Sequence, residues 1–440
     1  MIDREVERVV DLVDPGVNRI HNMSVEEARA RVARGSAEAV GGIHGSFALV
    51  ARDGEAVRLA RSLDRPLRYF LAKRKDGPVL VASDRIDAIH AYLEDEGLSG
   101  QFHPTYTRMV PAHHVVEVKL VGCPDPDAGY TRFFTPGRAT GPADTEELGR
   151  RYVRALAGEI GAWLEGLPDA APIGVCFSGG VDSGAVFLVT YHLMGELKMN
   201  PARLKAFTLS LGGGPDLEQA RRFLRALDLE MFLEPIESDP EGLDPFEAVR
   251  ITEDYKPLDV ECAAVALALC RGIRALYPDW RFLVDGDGGD ENLKDYPIEE
   301  IPELTIVSVV NNPLLYQEGW GVGRMKHSLT YSGGQSRSYT RTYAPARRLG
   351  FEGFSPFTRP RVVEAAEEIP FAALTRGDHE RLYALKGEIV SRGVEALTGR
   401  RMPVFPKRRF QRGALAAGEH SRRFPYGEKD YRMHLLSRYS

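Results

Sequence analysis

The stretch that most limits what this chain can become is Val175-Cys176-Phe177-Ser178-Gly179-Gly180-Val181-Asp182-Ser183. Ile173 to Phe177 is apolar and bounded by Pro172 and two glycines, which predicts a short buried strand. Ser178-Gly179-Gly180 predicts a tight turn. Apolar residues at Val181, Val186, Phe187, Val189 and Tyr191 then predict a helix. A strand, a glycine turn and a helix N-terminus make an anion site. Backbone N–H groups face outward, the helix dipole favours negative charge, and glycine lets a phosphate come close. Asp182 falls in the first turn, where its carboxylate is suited to Mg²⁺. The stretch matches neither the Walker loop nor the dinucleotide fingerprint.

Around it, the 440 residues divide into two expected domains, 1–138 and 139–440. Residues 1–23 read as a polar lead-in. Ser24 and Glu27 form a capping box for a helix to about Arg34. Strand-like runs come next at Gly45–Ala51, Val57–Ala60, Leu67–Ala72, Val79–Ser83 and Val115–Leu120, so the first domain is expected to be small and β-rich. Phe134 to Asp144 reads as a linker, with Asp144 or Thr145 capping the next helix. From 171 onward strands and helices alternate: strands at 173–177, 204–211, 231–235 and 282–285, helices to about 195 and over 216–227 and 259–275. That alternation predicts an α/β fold with a parallel, doubly wound sheet, and such sheets bind ligands beyond the carboxyl ends of their strands. Residues 361–400 read as helical, and a basic tail comes after them.

Two further segments carry charge in a suggestive pattern. Asp285-Gly286-Asp287-Gly288-Gly289-Asp290-Glu291 comes after an apolar strand, as suits a hard cation held by a few carboxylates and phosphate oxygens. A solvated acidic turn would have the same composition. Pro406-Lys407-Arg408-Arg409-Phe410 is either a basic surface tail or a lysine aimed at developing negative charge. The net charge of −6 gives no global signature of nucleic-acid binding. Four cysteines without a C-x-x-C pair suggest neither zinc nor a disulfide framework, and fit a reducing cytoplasm. No apolar run is long enough to span a membrane.

The first motif resembles the pyrophosphate loop of ATP pyrophosphatases. Taken with Ala206-Phe207-Thr208-Leu209-Ser210, Asp216, Glu218 and Ala220, the Gly286–Glu291 loop, Pro356-Phe357 and Pro406-Lys407, the set resembles the asparagine synthetase superfamily, which includes β-lactam synthetases and lasso-peptide cyclases. The resemblance covers roughly residues 24 to 415. It implies an ATP- and Mg²⁺-dependent ligase that turns a carboxylate into an acyl-adenylate, releases pyrophosphate and passes the acyl group to an amine. Carried over, it implies that Ser178, Gly179, Gly180, Val181, Asp182 and Ser183 bind ATP and pyrophosphate. Ala206, Phe207, Thr208 and Leu209 would border the adenine, with Gly286 near the nucleotide. Asp182 and Asp290 would hold magnesium, two ions being expected, and Lys407 would be catalytic. Asp287 stands where asparagine synthetases carry Glu and β-lactam synthetases Tyr, so it is expected to orient an amine or accept its proton.

Gly45–Val50, Leu59–Phe70, Ala82-Ser83-Asp84 and Pro111–His114 resemble the second half of the family's Ntn-type glutaminase domain. That domain needs a cysteine directly after the initiating methionine, whereas Ile2 stands there and the first cysteine is Cys123. The expectation is a degenerate domain without glutaminase activity, and nitrogen drawn from ammonia or from an amine on the substrate. Intramolecular lactam or lasso-type closure leads, small-molecule or peptide substrates being the expected partners. Ammonia-dependent asparagine synthesis is the alternative, and a tRNA-modifying enzyme on the same loop is another. Homo-oligomerisation stays open.

Overall fold

The computed structural model describes residues 8–74, 78–119, 128–296, 298, 304–311, 339–406 and 409–439. Among these, one compact unit runs to Thr135 and takes in the stretch from Leu435, and a second runs from Pro136 to His434.

The first unit is a pair of four-stranded sheets. One orders its strands as Arg8–Asp11, Val79–Ser83, Arg68–Ala72 and Arg108–Met109; the other as Gly129–Arg132, His114–Lys119, Ala56–Arg61 and Ala48–Asp53. Alternation along Ala48–Asp53 explains how one strand serves two cores. Ala48 and Val50 join Val57, Leu59, Tyr69 and Leu80 in one cluster. Leu49 and Ala51 face the other way, against Ala28 and Val32 of helix Val25–Arg34. That helix opens on Ser24 with the expected reciprocal capping by Glu27. The polar lead-in is corrected: Arg8–Asp11 is a strand parallel to Val79–Ser83, and Val13 and Val17 are buried. Four residues are too few to reveal a period, so charge dominates their appearance in the sequence. His113 sits at positive φ (59°), buried against Phe133 and Phe134, as a turn-packing residue would.

The second unit holds one five-stranded, all-parallel sheet. Its strands in chain order are β1 (Ile173–Cys176), β2 (Leu204–Leu211), β3 (Leu233–Ser238), β4 (Phe282–Val284) and β5 (Glu352–Phe354). Their order across the sheet is β3-β2-β1-β4-β5, with Val175 in register with both Ala206 and Val284. The chain winds one way from β1 and the other way from β4, so the direction reverses between these two neighbours, the place where open α/β sheets bind ligands. The helices that position the site are α1 (Thr145–Glu165), α2 (Val181–Glu196), α3 (Pro215–Arg225), α4 (Pro257–Leu276), α5 (Gly289–Asn292) and α6 (His379–Thr398).

Two expectations differ in detail. The strand expected at 231–235 begins at Leu233, because Glu230–Phe232 is a short 3₁₀ turn. β5 has no signal in the sequence; it has only three residues, and Gly353 lies in the middle. Residues 361–400 are helical as expected, in three helices with breaks at Pro370 and at the left-handed Arg376 and Gly377. α1 and α6 cross at a pair of glycines, Gly149 and Gly393. A Cβ on either would overlap the backbone of the other helix.

Candidate active site

The two glycine-rich loops lie at the carboxyl ends of β1 and β4, the neighbours between which the winding reverses. Gly179 has φ of 71°, and a Cβ there would come within 2.9 Å of the Ala220 backbone on α3. Only glycine suits that position, on both counts. The Ser183 hydroxyl accepts from Ser178 N (3.2 Å) and lies 3.2 Å from Ser178 Oγ. Gln219 donates to Ser178 O, and the Thr208 hydroxyl donates to Phe177 O (2.7 Å). The turn is therefore held from β2, α2 and α3 together. α2 opens on Gly180 with no side-chain cap, which leaves the first-turn N–H groups available.

The second loop is shaped by Asp285. Its Oδ1 accepts from Asp287 N (3.0 Å) and its Oδ2 from the Ser355 hydroxyl (3.0 Å). Gly289 then lies so close to Asp182 that a Cβ would overlap the carboxylate. This approach brings Asp182 and Asp290 to one ammonium. Lys386 of α6 donates to Asp182 Oδ2 (2.6 Å) and to Asp290 Oδ1, and lies 3.4 Å from Asp295 Oδ2. Its side chain is 5% exposed. Burial alone would push its pKa down, but the three carboxylates outweigh that and hold it well above the ordinary lysine value. Among the described residues, no trio of His, Cys, Asp or Glu converges as a ready-made metal site.

A second charged cluster lies beside the first. Arg341 Nη2 is 3.0 Å from Glu291 Oε1, and its Nε is 3.8 Å from Asp259 Oδ1. Arg341 comes from a wide π-type turn, Tyr339–Tyr343. Asp287 shares this environment. Burial pushes its carboxyl up to about 6, against the opposing pull of Arg341 and a hydrogen bond from Thr342. Asp287 Oδ2 and Glu291 Oε2 are inaccessible and accept no hydrogen bond among the described residues.

A family model described as asparagine synthase matches residues 167–329, a span that contains both loops. Over that span the chain is similar to the asparagine synthetase superfamily. Asparagine synthetase [glutamine-hydrolyzing] 2 of Lotus japonicus is 23% identical over 345 residues, covering 73% of this chain and 53% of that protein. The root asparagine synthetase [glutamine-hydrolyzing] of Pisum sativum is 22% identical over 258 residues, covering 53% and 40%. Methionyl-tRNA formyltransferase of Anaplasma phagocytophilum is 28% identical over 134 residues, covering 30% and 39%. The chain spans about half the length, or less, of the curated relatives it matches.

In this chain, the sequence-selected residues fall into three groups. Ser178 to Ser183, Gly286, Asp287 and Asp290 occupy the two facing loops. Ala206, Phe207, Thr208 and Leu209 are buried in β2. There Phe207 packs edge-on against Trp280 at 5.0 Å, its carbonyl accepts from Phe177 N (2.8 Å), and the Thr208 hydroxyl donates to Phe177 O. Lys407 and Arg408 lie outside the described residues. Sequence reasoning misses Lys386, Asp295, Asp259 and Arg341. Lys386 carries a readable signal: Leu382, Leu385, Ile389, Val390 and Gly393 mark the buried face of α6, and a lysine on that stripe needs a partner. Arg341 carries none, since its segment has no helical or strand period. Among the described residues, no helix is long and apolar enough to cross a membrane.

Proposed function

We propose that this chain is an ATP- and Mg²⁺-dependent carbon–nitrogen ligase that adenylates a carboxylate and transfers the acyl group to an amine, without glutaminase activity. The observation that carries the reading is the meeting of Asp182 and Asp290, one from each glycine-rich loop, at one buried ammonium beside an uncapped helix N-terminus. The donor set fits a nucleotide with its metal. Two carboxylates suffice for Mg²⁺ only when phosphate oxygens and water complete its shell. Gly179 and Gly289 keep side chains out of the approach. The fold reading that goes with it is an adenine-nucleotide α-hydrolase-like domain over 139–440, preceded by a degenerate Ntn-like domain over 1–138.

The chain's residues divide the work. The uncapped first-turn N–H groups of α2 and the rest of the Ser178–Ser183 loop bind the phosphates, with Ser178 N held by the Ser183 hydroxyl, and Lys386 neutralises part of their charge. Asp182 and Asp290 would hold Mg²⁺, which when bound stabilises the charge on the departing pyrophosphate. Ala206 to Leu209 of β2 would border the adenine, with Gly286 beside the nucleotide. Asp287, with its pKa near 6, is ionised at neutral pH and takes the proton from the attacking amine. Lys407 neutralises charge at the reacting carbonyl. Positioning and fixed charge supply most of the acceleration. Absence of cysteine through residue 122 supports a glutaminase-like unit without its nucleophile. The amine then comes from the substrate itself, as in lactam or lasso-type closure, or from a small molecule. Two Mg²⁺ ions, a cytoplasmic setting and a possible oligomer complete the reading.

The test is incubation with Mg-ATP and aspartate, with and without ammonium or glutamine, reading AMP, pyrophosphate and asparagine together. Turnover that needs glutamine and releases glutamate sinks the glutaminase-free reading. Ammonium-dependent asparagine with matching AMP replaces intramolecular closure by ammonia-dependent asparagine synthesis. Amine-bearing acids that yield pyrophosphate without ammonium support closure.

A further inference from the structure

Lys386 occupies the place where a bridging cation would have to sit. Its Nζ is 2.6 Å from Asp182 Oδ2, in contact with Asp290 Oδ1 and 3.4 Å from Asp295 Oδ2. An ammonium has three donors, and three carboxylates surround this one. The lysine cannot be dismissed as a stray surface chain. It is buried on α6, and α6 is pinned to α1 by the Gly149–Gly393 crossing, which leaves no room for a side chain.

Net charge alone would draw a cation in, because three carboxylates face one ammonium. What opposes it is place. A divalent ion ligated by both Asp182 and Asp290 would displace the ammonium or press against it. Displacing it strands a buried positive charge unless a new anion takes over its contacts. A triphosphate lying on the glycine turn is such an anion, and it brings oxygen ligands that the metal needs.

We propose that Lys386 is an internal counterion that keeps free divalent cations off the Asp182–Asp290 pair, so that the metal enters only together with a polyphosphate. This inference rests on reading the site as one for a metal-bound nucleotide. It makes the metal and nucleotide strongly cooperative, because each removes the other's obstacle.

The experiment is titration with Mn²⁺, monitored by electron paramagnetic resonance of the free ion. It uses the wild-type chain and Lys386→Met, each alone and with α,β-methylene-ATP, with foldedness checked by circular dichroism. Wild type alone is expected to show no site tighter than about millimolar, and a site about a hundredfold tighter once the analogue is present. Lys386→Met is expected to bind Mn²⁺ without nucleotide about a hundredfold more tightly than wild type, as deleting a unit charge a few ångströms away requires. Its melting temperature should rise with Mn²⁺ alone, while that of wild type stays put. Tight Mn²⁺ binding by wild type without nucleotide overturns the proposal. So does a folded Lys386→Met that binds no better than wild type. If the variant does not fold, the wild-type pair of titrations decides. Failure of the ligase reading is seen separately, as absence of pyrophosphate release from a wild type that binds Mn²⁺ with the analogue.

Discussion

Two buried ion clusters of similar composition sit side by side in the second unit, and they are finished to different degrees. Around Lys386, the carboxylates of Asp182, Asp290 and Asp295 all converge on one ammonium. Around Arg341, among the described residues, Glu291 comes close (3.0 Å), Asp259 stands off at 3.8 Å, and one oxygen each of Asp287 and Glu291, Oδ2 and Oε2, accepts no hydrogen bond. A buried charge without its full set of partners costs stability and is kept where chemistry needs it. The Lys386 cluster is the closed one in that three carboxylates lie within 3.4 Å of its ammonium. The Arg341 cluster is the open one: among the described residues its second carboxylate stands 3.8 Å away. A point charge on a flexible stem suits the first arrangement; a planar guanidinium, always charged, suits the second.

The sharpest way to break this contrast is at the closed cluster. Asp182→Ala and Asp290→Ala should each lower AMP and pyrophosphate formation by about a thousandfold, the scale of losing a fixed charge on the reacting phosphates. Losses below about tenfold in folded variants would remove these residues from the metal. At the open cluster, Asp287→Asn should lower kcat/KM about a hundredfold and abolish its rise through pH 6.

The same residue makes a stability prediction of definite sign. Its folded pKa, about 6, lies above the ordinary 3.8, so the native state binds more protons than the unfolded state between those values. Stability therefore falls as pH rises from about 4 to about 6, by roughly 2–3 kcal/mol. Denaturant melts at about pH 4 and about pH 7.5 should show Asp287→Asn without this loss. A wild type equally stable at both would contradict the burial of that carboxyl.

Two smaller effects test the scaffolding of each cluster. Gly149→Ala should destabilise the chain by about 1–3 kcal/mol, read from urea melts, because the new methyl group meets the α6 backbone. Ser355→Ala should cost about 1 kcal/mol by removing a donor from Asp285, and leave turnover within a few-fold. A larger drop in turnover would mean that Asp285 does more than shape its loop.

The sequence is readable where a local rule has one outcome. Ser178-Gly179-Gly180 could only be a tight turn before a helix, and Gly179 indeed has a left-handed backbone with no room for a side chain. The capping box at Ser24 and Glu27 works for the same reason. Legibility ends where the deciding partner lies far along the chain. Lys386 meets Asp182 across 204 residues, and nothing near either one announces the other. Arg8–Asp11 is a strand because Val79–Ser83 offers it an edge, which four residues of mixed polarity cannot reveal. Arg341 lies in a turn without periodicity and acquires its meaning only from Glu291 and Asp259.

The glycine crossing of α1 and α6 has a mechanical consequence. Two helices in backbone contact cannot slide sideways, but they can pivot about the point where they touch. Lys386 lies seven residues from Gly393, an arm of about 10 Å at about 1.5 Å per residue. A tilt of α6 by a few degrees therefore moves the ammonium by roughly half an ångström. Any load applied to the far turns of α6 is delivered as a small change in how firmly one proton-rich nitrogen grips two oxygens.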